Sequence, residues 1–383
     1  MICPKNECLE CGACFAVCPI NAIKMAENIY GEYLPLIDND KCIKCNKCNK
    51  ICPVINKTDY KKPLECYAAY TQNENDRNSC ASGGIATAFG KQIINAGGET
   101  FGAVLNEKFS FTKAENISGL EEFKGSKYVH IPAYHIYRDI KKDLMTDKKI
   151  LFIGTPCQCD ALLHYIGKEY ENLITVDLIC HGTPPYRYLN EWIKYVTKGM
   201  YFDQITFRGK RDYYLTVYND SKIIYSKQHN EDGYFSAFLT GLIHREPCYS
   251  CPYARIERIS DITIGDFWGL PQNALNGYMG KKSVILINTT KGKNFFKTVV
   301  PNLVVEKRDI TEAISGNKQL THPASRHKKQ KLFLRYYPEY GFYKALKKCG
   351  ILRETLITII KNKLMFFPRK IIRRLKNEKK QTG

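Results

Sequence analysis

The chain has 383 residues, 44% of them apolar, which is enough for two or three domains with cores of their own and excludes wholesale disorder. Its seventeen cysteines follow an N-terminus with no charged segment and apolar run, so a short secreted disulfide scaffold is excluded and thiolate ligation of metal in a reducing, cytoplasmic setting is expected. The net charge of +20 does not signal nucleic-acid binding, because eighteen Lys and Arg against three Glu lie from Pro323 onward with no nucleic-acid-reading motif among them.

The first element is a ferredoxin-like α+β module over residues 1–60. Cys8-x2-Cys11-x2-Cys14-x3-Cys18-Pro19 is one complete run, and Cys42-x2-Cys45-x2-Cys48-x3-Cys52-Pro53 is a second. Three cysteines two residues apart wrap one four-iron cube, and the fourth, on the short helix that follows, points to the other cube. Cys8, Cys11, Cys14 and Cys52 are therefore expected to hold one [4Fe–4S] cluster, and Cys42, Cys45, Cys48 and Cys18 the other. Gly12 suits the close backbone approach of a cluster loop. Zinc favours paired Cys-x2-Cys units, so a triple plus one argues for iron–sulfur. Cys3, Cys66 and Cys349 fit no spacing pattern and are read as buried or incidental thiols.

A polar connector, Asn56 to Pro63, ends the module. Cys66–Tyr70 reads as a strand. Ser79-Cys80-Ala81-Ser82-Gly83-Gly84-Ile85 then opens a helical pattern through Ala86, Phe89, Ile93 and Ile94. Such a turn suits a phosphate or pyrophosphate, and it equally suits an ordinary N-cap by Ser82. Lys148–Ile153 is a short buried strand ending in Gly154-Thr155-Pro156-Cys157-Gln158-Cys159, with a helix through Leu162, Leu163 and Ile166. Asn172–Ile179 is the next strand and ends in Cys180-His181-Gly182. Cys248-x2-Cys251-Pro252 precedes a strand within Asp261–Gly269, and Ser283–Asn288 forms another. The alternation predicts an α/β domain, in two parts over residues 64–145 and 146–322. Cys157, Cys180, Cys248 and Cys251 recur at loops and strand ends, where α/β folds place chemistry, and Cys159 is an alternative to Cys157.

In order, Ala81-Ser82-Gly83-Gly84-Ile85-Ala86, Gly125-Ser126-Lys127-Tyr128, Gly154-Thr155-Pro156-Cys157-Gln158, Cys180-His181-Gly182, Cys248-x2-Cys251-Pro252 and Asp261–Gly269 resemble the beta subunits of coenzyme F420-reducing hydrogenase and dehydrogenase. The resemblance runs from about Cys66 to about Gly292, and members with a fused N-terminal ferredoxin are common. It implies FAD in the central domain and a third [4Fe–4S] cluster on Cys157, Cys180, Cys248 and Cys251. It also implies flavin contacts from Ser82, Gly83, Gly84 and Lys127. His181 and Asp266 fit proton donation and structural roles equally, and no catalytic residue is assigned. A bias to Lys, Asn, Ile and Tyr departs from the setting in which coenzyme F420 is a safe expectation. The long tail resembles that of bacterial members associated with cell-surface polysaccharide assembly.

The tail, 323–383, reads as a basic helix from Leu346 to Lys376, with Leu352, Leu356, Ile359, Ile360, Leu364 and Phe367 on one side. It fits a helix packed on the body with a solvated basic end, or a peripheral helix on the inner face of an anionic membrane. No segment has the apolar run needed to span a bilayer. Two functions follow. One is a flavin-dependent iron–sulfur oxidoreductase that takes electrons from a ferredoxin or partner subunit and passes them to a small-molecule substrate. The other is an electron-transfer subunit that serves a partner enzyme.

Overall fold

The computed structural model describes residues 2–104, 109–209, 212–353, 355 and 357. The N-terminal module contains the antiparallel hairpin β1 (Ile23–Glu27) and β2 (Tyr33–Ile37), with Ile23 opposite Ile37. Two short helices, Ala13–Val17 and Lys47–Lys50, follow the two cysteine loops. The internal repeat is visible in the backbone itself. Glu10 and Lys44 occupy equivalent places and share φ 55°, and Gly12 and Asn46 share φ near 60°. Asn is one of the few side chains that enters this left-handed region readily.

The α/β body contributes β3 (Glu65–Thr71), β4 (Glu99–Val104), β5 (Ser110–Ala114), β6 (Ile150–Gly154) and β7 (Leu173–Leu178). Three further strands, β8 (Gln204–Thr206), β9 (Tyr214–Asn219) and β10 (Lys222–Gln228), form a small antiparallel sheet of their own. The body then resumes with β11 (Ile262–Asp266), β12 (Ser283–Ile287) and β13 (Leu303–Arg308). Its eight-stranded sheet has the order β13-β3-β12-β11-β7-β6-β4-β5. The centre, β11-β7-β6-β4, is parallel, and the flanking pairs are antiparallel. Strands expected at 66–70, 148–153, 172–179, 261–269 and 283–288 are all present.

The sheet forms because β6 and β12 are nearly continuous apolar runs, the pattern of strands covered on both faces, while β7 and β11 bury Thr175, Asp177 and Thr263 among their apolar residues. Phe89, Leu151, Val176, Ile262, Ile285 and Ile287 pack into one core. Each such side chain contributes about 1.5–3 kcal/mol through burial. Phe89 and Ile93 come from the helix Ile85–Asn95, which its spacing predicts.

The chain forms two compact units: Met1–Tyr186 with His244–Ser325, and Arg187–Ile243 with the residues from Arg326 on. In the second, Tyr188, Phe333, Tyr337 and Phe342 form an aromatic cluster. The helix Gln330–Lys348 there is broken at Gly341. Of the helix expected over 346–376, Leu352 and Arg353 are described as helical. Leu356, Ile359, Ile360, Leu364 and Phe367 lie outside the described residues. No described helix is long and apolar enough to cross a membrane.

Candidate iron–sulfur centres

The first cysteine set lines one cavity. Cys8, Cys11, Cys14 and Cys52 face it together with Ile2, Leu9 and Val54. Gly12 makes the loop possible: a Cβ there would stand 2.3 Å from the Tyr134 ring, and its φ is +64°. Burial first, then the neighbouring thiols Cys8 and Cys52, push the Cys14 thiol up to about 12. Four thiolates this close are unstable without a positive centre among them, and the apolar walls exclude water as a substitute. These residues fit a four-iron cluster.

Cys42, Cys45 and Cys48 lie in the second loop. Cys45 is exposed and its neighbours are half-buried. Cys48 is raised by burial first, with Cys42 and Cys45 adding to it. Cys18, the crossing ligand expected from the spacing, accepts a hydrogen bond from the Ala22 amide at 3.2 Å.

The third set is assembled by sheet topology. Gly154 of β6 pairs with Asp177 of β7, and each is followed three residues later by a cysteine, Cys157 and Cys180. Both therefore emerge at the carboxyl edge of adjacent parallel strands. Cys248 sits on the 3-10 turn Glu246–Ser250, and Cys251 ends it. Arg258 fixes the segment beyond by a buried ion pair with Asp177 at 2.8 Å. The thiols of Cys157, Cys180, Cys248 and Cys251 each lie within electrostatic reach of the other three. Burial, then Cys157 and Cys248, push Cys251 up to about 12. Cys159 is fully buried, its thiol donates to the Val176 carbonyl at 3.6 Å, and of the four it is within electrostatic reach of Cys157. Among the described residues no three His, Cys, Asp or Glu side chains are set around a single ion. A four-iron cube is wider than one ion and needs its thiols spread further apart.

Arg245 and Tyr137 connect the first set with the third. The Arg245 guanidinium donates to the Leu9 carbonyl at 2.8 Å and lies 3.3 Å from Glu10, in the first cysteine loop. It is also within electrostatic reach of Cys157 and Cys248. Burial pushes the Glu10 carboxyl up to about 7 against the pull of Arg245. Tyr137, fully buried, is within electrostatic reach of both Cys11 and Cys157. Around the rim, Arg138 donates to the Ala16 carbonyl, and Thr58 shares a hydrogen-bond network with Asp160 and His164.

The residues expected at a flavin divide. The Ser82 hydroxyl donates to the Lys282 carbonyl, the Gly83 amide donates to Ser283 Oγ, and a Cβ on Gly83 would stand 2.6 Å from the Ala69 carbonyl. These two positions knit the turn to the sheet. Gly84 starts the helix Ile85–Asn95 with no side-chain cap, and a Cβ there would stand 2.6 Å from the Thr71 methyl. Lys127 is within electrostatic reach of Cys80, and burial pushes its ammonium down to about 7. Its Nζ donates to the Phe123 and Lys124 carbonyls.

Three residues were not legible as part of the site. Cys3, read as an incidental thiol, faces the first cavity and is close enough to hydrogen-bond Cys8 and Cys52. Arg245 and Tyr137 carry no local motif. Arg245 lies three residues before Cys248, the only hint the sequence offers.

Residues 147–313 match the family model for the C terminus of the beta subunit of coenzyme F420 hydrogenase/dehydrogenase, and residues 7–56 match that of the 4Fe-4S dicluster domain. Over 170 residues the chain is 29% identical to the F subunit of F(420)H(2) dehydrogenase from Methanosarcina mazei, covering 41% of this chain and 47% of that protein. The chain thus spans about half the length of that curated relative. Among solved structures it is similar to a chain of the F420-reducing [NiFe] hydrogenase complex from Methanosarcina barkeri. The TM-score is 0.46 and the identity 17%, over 80% of this chain and 94% of that one. The chain is thus an iron–sulfur protein with a 4Fe-4S dicluster domain at its N-terminal side, and its residues 147–313 are similar to the C terminus of the coenzyme F420 hydrogenase/dehydrogenase beta subunits.

Proposed function

We propose that the chain relays electrons through three [4Fe–4S] clusters, from the exposed cysteine loop inward, as a subunit working beside a redox partner. The observation that carries this reading is a pair of buried side chains between the first cysteine loop and the third set: Arg245 bonds Leu9 and Glu10 of that loop and is within electrostatic reach of Cys157 and Cys248, and Tyr137 is within electrostatic reach of Cys11 and Cys157. A relay needs its centres close and its intervening medium packed and dry. Cys45 is exposed whereas Cys14 and Cys52 are buried, which supports entry at the second loop. The Methanosarcina mazei relative is named as one subunit of a dehydrogenase, which supports a shared assembly.

We infer further that FAD is the terminal acceptor within the chain. Gly84, at the uncapped start of the helix Ile85–Asn95, would face its phosphates, and Lys127 would supply charge. Bound flavin converts one-electron to two-electron transfer. A second reading, delivery to a separate enzyme with no flavin here, is favoured by the engagement of Ser82 and Gly83 in the sheet.

Anaerobic purification with iron, acid-labile sulfide and flavin measured per chain tests both. About twelve iron atoms and one FAD support the full relay. About twelve iron without flavin after reconstitution favours the second reading, and about eight iron removes the third cluster.

A further inference from the structure

We infer that the loop carrying Cys42, Cys45 and Cys48 is the docking face for an acidic one-electron carrier protein, one whose carboxylates ring its own redox centre. The inference deepens the relay reading and rests on it for the cluster that this loop holds.

Lys41, Lys44 and Lys47 each directly precede one of the three cysteines, and Lys50 follows two residues after the last. All four lysines are exposed. Lys41 reaches Asp38 at 3.5 Å, whereas Lys44, Lys47 and Lys50 make no ion pair among the described residues. Residues 41–62 carry seven lysines and one aspartate. Within this charged rim lies an apolar centre: Ile43 is 62% exposed and Ile55 is 47% exposed. An apolar patch with a charged rim is the anatomy of a transient docking surface, and a single sign of charge selects the partner.

The repeat itself supplies the contrast. Lys44 stands where Glu10 stands in the first loop, with the same backbone φ. Glu10 is buried and faces Arg245 inside the fold, whereas Lys44 faces solvent. Neutralising the negative charge of a cluster does not account for this difference, because both loops would hold the same cluster. The positive charge collects at the one cluster loop with an exposed cysteine, where a carrier can approach.

The test uses the full-length holoprotein and a reduced acidic two-cluster ferredoxin as the probe, in stopped-flow at low and high salt. The wild-type rate constant is expected to fall about tenfold or more between low and physiological salt. Lys44→Glu/Lys47→Glu should lower the low-salt rate about tenfold or more and flatten the salt dependence. Lys222→Glu, an exposed reversal on β10, should leave both unchanged. If the double reversal impairs cluster loading, Lys44→Gln/Lys47→Gln should give a smaller loss in the same direction. An unchanged rate and salt slope in a fully loaded variant would overturn the inference. So would an altered oligomeric state with the rate intact, which would assign the face to a second copy of the chain. Iron content and the amplitude of dithionite reduction report the clusters independently of docking. A wild-type protein that fails those fails the relay reading instead.

Discussion

Arg245 Nη1 lies 3.3 Å from Glu10 Oε1, with both side chains buried, so one ion pair ties the first cysteine loop to the segment that carries Cys248. The two residues are far apart in sequence, and the contact makes the N-terminal module and the α/β body a single electrostatic system.

Arg245→Met should therefore destabilise the holoprotein by about 1–3 kcal/mol, because Glu10, already pushed up to about 7 by burial, loses the pull of Arg245 and is left buried as an unpaired carboxylic acid. Glu10→Gln combined with Arg245→Met should recover most of that loss. Denaturant unfolding monitored by cluster absorbance would measure both. The same Arg245 substitution should lower the reduction potential of the nearest cluster, since a fixed positive charge favours the more negative, reduced state. Redox titration followed by EPR reads that shift separately from stability.

Cysteine substitutions should separate the third set from its neighbours in the sequence. Cys157→Ser is expected to cost about four iron atoms per chain. Cys159→Ala, at a fully buried thiol that donates to the Val176 carbonyl, should keep full iron content. Cys3→Ser should also keep full iron, yet move the potential of the first cluster, because its thiol reaches Cys8 and Cys52. Iron assay and EPR on the three variants decide each outcome.

Gly12→Ala should prevent loading of the first cluster, because the added methyl meets the Tyr134 ring and the φ of +64° is strained for any side chain. Adding Tyr134→Ala should relieve the collision and leave the backbone cost of about 1–2 kcal/mol. Asn46→Ala, at the equivalent place in the exposed loop, should cost about 1 kcal/mol and retain its cluster. Iron content per chain distinguishes these cases.

In the second unit, burial pushes the Asp232 carboxyl up to about 6, although Phe235, Trp192 and Tyr225 all donate to it. The folded state therefore holds a proton that the unfolded chain has released, and Asp232 contributes stability at low pH that is lost as pH rises from about 4 through about 6. The Trp192 indole donates to Asp232 at 2.8 Å, so its fluorescence should titrate near pH 6. Asp232→Asn should abolish that inflection.

The sequence is most legible where ligands lie close together along the chain. The two Cys-x2-Cys-x2-Cys-x3-Cys-Pro runs can be read because three of each cluster's four ligands come from one loop. The strands β6 and β12 can be read because burial on both faces leaves nearly uninterrupted apolar residues, and β7 and β11 because β-branched residues dominate them. The small sheet β8–β10 escapes because its strands are short and half-exposed, so no run of either period dominates. Arg245 and Tyr137 escape for another reason. Their partners are brought near by the tertiary fold alone, and no spacing rule reaches across more than a hundred residues. The Ser82-Gly83 turn is legible as a turn, but not in its purpose. Only the packing of Gly83 against Ala69, and its amide on Ser283, reveal that the sheet uses it.

A backbone duplicated about a twofold relation has no front and no back. Glu10 and Lys44 give it both, since one niche of the repeat is anchored inward by a carboxylate and its twin is left outward with an ammonium. The module is thereby polarised like a plug, with one prong seated in the body and the other presented to whatever arrives. That orientation resides in two side chains and not in the fold, so it can drift, reverse or be redesigned without disturbing a single cluster ligand.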